Sequence, residues 1–144
     1  MRKIVKIADE VAADLNGHSF GQAFTAVRSY HPTADLKDLR ELRVTVVPKS
    51  EGLVLAGRDS DLVTYDVDIG VQKKLSAGTP GGSDAAEIDA LLELVEEICQ
   101  FLNRRGADGA VWVGTANDPI YMPEHLEQLR QFTSVITVSY RLLT

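Results

Sequence analysis

The chain has 144 residues, with 15 Lys and Arg against 21 Asp and Glu and a formal net charge of −6. That size suits one domain able to bury a core without covalent staples, and 44% hydrophobic with 25% charged residues is the balance of a folded globular protein, not a disordered one. The single cysteine, Cys99, excludes an internal disulfide and a multi-cysteine metal site, and the acidic balance opposes the clustered Lys/Arg that grips nucleic acid without regard to sequence.

In chain order, Met1 to Glu10 regains charge too soon for a secretory signal, and no apolar run reaches the ~18 residues that cross a bilayer. Ile4, Ile7, Val11 and Leu15 recur at helical spacing, which predicts a helix over residues 4–16 stopped by Gly17. Residues 24–31 read as a strand ended by Pro32, and residues 35–41 as one helical turn on Leu36, Leu39 and Leu42. Leu42, Val44 and Val46 then alternate until Pro48, followed by a predicted long loop over 48–61 that contains Arg58.

The clearest strand is 62–75. Val63, Tyr65, Val67, Ile69 and Val71 take one face, and Thr64, Asp66, Asp68, Gly70 and Gln72 take a wet face, with Gly70 marking a bulge or a close approach. A second loop is predicted over 76–83. The best helix follows, on Ile88, Leu91, Leu92, Val95, Ile98, Cys99 and Leu102, with Asp84 and Glu87 spaced as a capping pair. Arg104 and Arg105 are placed in its last turn, and Gly106 ends it. Residues 110–116 read as a strand, Asn117-Asp118-Pro119 as a turn, and Pro123 as the opening of a short helical turn. Residues 132–143 carry apolar side chains on both faces, which places this strand centrally or against a partner. The order predicts an α+β domain, a mostly antiparallel mixed sheet with two helices packed on one face.

Candidate chemistry is sparse. Asp66 and Asp68 stand roughly 7 Å apart on one strand face, a spacing open to a divalent metal, an acid/base pair, pairing with another subunit, or plain solvation. His18, His31 and His125 lack metal-ligand spacing, and Cys99 on the apolar stripe reads as a buried small hydrophobe. The Gly78–Ser83 loop precedes a helix N-terminus but lacks the lysine of a phosphate-binding loop. Trp112 suits an interface or the domain's own core, and Arg28 and Tyr30 share a strand face with Phe24. No catalytic, cofactor-binding or metal residue is assigned.

The stretches LKDLRELRVTVVPKS (36–50), TYDVDIGVQKKL (64–75), EIDALLELVEEICQFL (87–102) and PEHLEQLRQFTSVITVSYRLL (123–143) carry a resemblance of order and texture over roughly residues 4–143. Together they resemble the tail terminator or tail completion (neck) proteins of long-tailed phages. The resemblance implies a small α+β subunit of a hexameric ring that caps the tail tube and docks the head connector, without cofactor or catalysis. Its partners would be further copies of itself, the tail tube protein, the connector or other neck proteins, and DNA only in transit through the pore. No membrane is involved, and the place is the virion tail–neck junction, after assembly in the host cytoplasm. Asp66, Asp68, Arg28, Tyr30 and Arg58 are the candidates for a subunit or lumen interface. A head-closure or adaptor neck protein is the alternative. A small metal-dependent hydrolase built on Asp66 and Asp68 and a cellular adaptor domain stand behind it.

Overall fold

A computed structural model describes residues 1–31, 41–75 and 83–144. In chain order the elements are α1 (Lys3–Asn16), β1 (Ala26–Arg28), β2 (Arg43–Leu55), β3 (Asp61–Lys74), α2 (Ser83–Leu102), β4 (Val111–Ala116), α3 (Pro123–Leu129) and β5 (Gln131–Leu143). The five strands form one sheet in the order β1-β2-β3-β5-β4. Only β1–β2 is parallel, and every other pair is antiparallel. The α+β class is as the element order predicts.

One face of the sheet holds the core. Ile7, Val11 and Leu15 of α1, and Leu91, Leu94, Ile98 and Leu102 of α2, pack with Val67, Ile69, Val71, Phe132 and Ile136. Lys73 is the one cation on that side of β3, and its ammonium donates to Glu87 Oε1 of α2 at 2.9 Å. The helices therefore lie where the 3.6-residue and two-residue apolar periods meet. Among the described residues, no helix is long and apolar enough to cross a membrane.

The first strand is shorter than the predicted 24–31, and a side chain guards its first residue. Asn16 Oδ1 accepts from the Ala26 amide at 2.7 Å, and Asn16 Nδ2 donates to the Ala26 carbonyl at 2.9 Å. Both outward backbone groups of Ala26 are thus taken by the end of α1, which closes this edge. Pro32, the turn at 35–40 and the loop at 76–82 lie outside the described residues, as does the Asp84 side chain.

The predicted loop over 48–61 is mostly strand. β2 runs on to Leu55 and β3 begins at Asp61, so only 56–60 turns, closed by the Ala56 and Gly57 amides on the Ser60 carbonyl. Pro48 does not end β2, because a register shift falls between Pro48 and Ser50 and the ladder resumes beyond it. A proline is tolerated at such a bulge, where no N–H is required. Gly70 marks no bulge: it pairs regularly with Thr45 and Val135.

The face of β3 expected to be wet is dry at one end. Asp68, Gln72, Thr45 and Thr133 are all buried. β3 is the middle strand, so flanking side chains crowd it on both sides, and α3 lies across the start of β5 with His125 Nδ1 2.7 Å from Thr133 Oγ1. The last strand is indeed internal, between β3 and β4.

α2 ends at Leu102, so Arg104 and Arg105 lie beyond its last turn. Arg104, ahead of the expected stop at Gly106, takes a left-handed backbone at φ 62°. Gly106 is needed for space instead, since a Cβ there would meet the Ala110 carbonyl oxygen at 2.6 Å. Asp108 (φ 48°) and Gly109 (φ 83°) then make a tight turn whose flanking Ala107 and Ala110 exchange backbone hydrogen bonds. Asp-Gly is the pair that a turn with two positive φ angles favours.

Tyr140 is fully buried in β5, and burial, then the negative charges of Asp14 and Glu10, push its phenol far above the ordinary 10.0. A folded-state value raised above the unfolded one means the folded form holds its proton longer. The stability so gained is complete below pH ~10 and is lost as pH climbs from there through the folded value. Tyr140→Phe should flatten the fall in denaturation midpoint measured between about pH 10 and 12; an unchanged fall would contradict this.

Candidate functional site

The surface singled out by the sequence is the sheet face turned away from α1 and α2. Along β3 it carries Thr64, Asp66 and Asp68, in register with Arg141, Ser139 and Thr137 of β5. Asp66 is held twice: Ser139 Oγ donates to Oδ1 at 2.6 Å and Ser50 Oγ to Oδ2 at 3.0 Å. Asp68 accepts from Thr137 Oγ1 at 2.6 Å and lies 3.7 Å from Lys49 Nζ. The two carboxylates thus stand in one cross-strand row of hydroxyl donors, which fixes their orientation.

Asp66 and Asp68 have no third ligand beside them: among the described residues, no group of three or more His, Cys, Asp or Glu sits where it could hold a metal ion. The Asp68 carboxylate is 12% exposed and takes its contacts from this sheet face, which makes it a structural part of the sheet. Asp68→Asn should leave stability nearly unchanged, since the amide oxygen still accepts from Thr137. Asp68→Ala should cost about 1–2 kcal/mol by stranding that hydroxyl, measured by urea titration. Equal losses for both would show that the charge matters and not the acceptor.

The other candidates lie elsewhere. Arg28 Nε pairs with Asp9 Oδ1 of α1 at 2.7 Å, and its guanidinium carbon sits 5.2 Å from the Tyr30 ring centre. Hydrogen bonding to Tyr30, and then its charge interactions with Tyr30 and Asp9, hold the guanidinium even more firmly protonated than usual. Arg28 is therefore an anchor between α1 and β1, and exposed Tyr30 lies just outside the strand. Arg58 is exposed at the β2–β3 turn. The structure groups Asp66 with Asp68, and Arg28 with Tyr30, without bringing the two pairs and Arg58 into one site.

His18 stacks on Phe101 at 4.3 Å and meets Phe20 edge-on at 4.7 Å, while Arg105 covers Phe101 at 4.3 Å. His31 has only its amide engaged, by Ser29 Oγ at 3.3 Å. Cys99 is half-buried where full burial was expected, because it lies at the margin of the α2 stripe; burial and then Glu96 raise its thiol above 9.0, the opposite of an activated nucleophile. Trp112 packs half-buried against the core and donates to Thr115 Oγ1 at 2.9 Å.

Sequence reasoning missed the carboxylates' partners, Ser50, Lys49, Thr137 and Ser139. Their only signal was the small hydroxyl residues alternating along β5, and a single sequence does not say which strand lies beside β3. The chain matches no family model and no curated protein.

Proposed function

We propose that this chain is a structural assembly protein of a phage tail, a ring-forming terminator that caps the tail tube and joins it to the head connector. The observation that carries the reading is the pair of aspartates, Asp66 and Asp68, on the sheet face turned away from α1 and α2, in a row that also holds Arg141. Asp66 and Asp68 are locked by cross-strand hydroxyls on that side, and among the described residues no group of three metal-ligating side chains lies beside them. The chain's net charge of −6 suits the wall of a conduit, since an acidic balance disfavours the Lys/Arg contacts that would hold DNA. The resemblance in sequence order and texture points to the same class.

Purified protein should run at a small whole-number multiple of 15.7 kDa and give ring-shaped particles by negative-stain electron microscopy. It should also co-sediment with isolated tail tubes. Capture of the connector without the tube would favour the head-closure role. A chain that stays monomeric and ignores both would sink the reading. Asp66→Asn with Asp68→Asn should leave assembly intact; loss of a hydrolytic activity in that variant would support the enzyme reading instead.

A further inference from the structure

The sheet has two margins that no described strand covers. β1 pairs with β2 only at Val44–Val46, so from Ser50 to Leu55 the outer side of β2 is open among the described residues. β4 is the other end of the sheet and is bonded to β5 alone. Both margins are six residues long and nearly uncharged. Glu51 is the one ionisable residue on the first, and it faces Arg2 at 3.7 Å. Leu53, Val54 and Leu55 are 61%, 59% and 79% exposed, and Val111 and Val113 are 65% and 41% exposed. Soluble proteins usually blunt such edges with charge, proline or cover, as Asn16 covers β1 here.

The polarity of the strands says what fits. β2, β3, β5 and β4 alternate in direction, so β4 and β2 run opposite ways. A second copy placed beside the first, helices on the same side, therefore meets it in antiparallel order. The ladders set the two margins at overlapping heights, with Leu53, Val54 and Leu55 running past the start of β4 and Ala116 level with Val47. Val111 is level with Arg141, Thr64 and Gly52, and Gly114 is level with Ser139, Asp66 and Ser50. Beside the β2 margin lies a cleft of about 410 Å³ lined in part by Ile4, Val5, Tyr30 and Pro48, with room for apolar side chains of an incoming strand.

We propose that β4 of one copy pairs antiparallel with the Ser50–Leu55 margin of β2 in the next, joining copies head to tail into one continuous sheet. This rests on the self-assembly reading above and names its interface. The contact is strand addition between unlike edges, so an open chain of copies always keeps one free margin of each kind, and only a closed ring uses all of them. The Asp66–Asp68 faces of all copies then lie on one side of the joined sheet.

The test uses Val113→Lys on one margin and Val54→Lys on the other, with light scattering after size exclusion. A second pair, Val111→Lys and Leu53→Lys, serves if either variant fails to keep the parent's melting temperature. Each variant alone should stay monomeric where the parent is assembled, raising the half-assembly concentration at least tenfold. An equal mixture should give one-to-one pairs and nothing larger, because each supplies the margin the other lacks. Variants that assemble like the parent, or a mixture that stays monomeric, would overturn the edge pairing while leaving self-assembly standing. A parent chain that is monomeric at every concentration would overturn both.

Discussion

Replacing Phe132 by alanine is expected to lower the free energy of unfolding by about 3–5 kcal/mol. Phe132 is fully buried at the start of β5, level with Lys73 of β3. The Lys73–Glu87 pair at 2.9 Å ties that point to α2. The ring therefore fills the space between the internal strands and the long helix. Its removal loses the transfer energy of the ring and leaves a hole that the sheet, braced on both sides, closes poorly. Phe132→Leu keeps most of the volume and should cost less than about 1.5 kcal/mol. Guanidinium titration of both variants reads the difference, and an alanine loss below about 1 kcal/mol would mean that α2 is not seated as described.

Asn16→Ala should cost about 2–4 kcal/mol, a large effect for one polar side chain. Its amide is bonded to both backbone groups of Ala26, at 2.7 and 2.9 Å, and both bonds are partly buried. Alanine strands a donor and an acceptor together, and a half-wet site lets water recover only part of each. The loss should be local. Amide exchange at Ala26 and Val27 should speed up far more than exchange at Val44 or Val67, which lie deeper in the sheet. Asn16→Asp keeps the acceptor, gives up the donor and sets a carboxylate against a carbonyl, so it should fall between the parent and alanine. Uniform acceleration across the sheet would show that β1 is not a separately held unit.

The elements legible in the sequence were those whose periodicity agrees with their burial. The α1 stripe, the β3 alternation and the twenty-residue α2 are fixed mainly by their own apolar spacing. The misreadings were made by partners distant in sequence. Pro48 reads as a strand end, yet the opposing β3 carries β2 past it through a bulge. β1 spans only Ala26–Arg28, and Asn16, ten residues earlier, holds its first residue from the outer side. On the functional side, Asp66 and Asp68 were legible as a pair on one face. Their hydroxyl partners on β2 and β5 were not, since sheet order decides them and nothing local encodes it.

The locked carboxylates of the sheet face have a consequence for ionic strength. Hydroxyl partners orient Asp66 without adding countercharge, while Lys49 lies 3.7 Å from Asp68 and Arg141 stands in the same cross-strand row. The face thus carries charges of both signs, and salt screens the field that they leave. At physiological ionic strength it decays over about 8 Å, and at 0.01 M over about 30 Å. A charged partner would sense the Asp66–Asp68 row at close range in either condition, but from tens of ångströms away only in dilute salt.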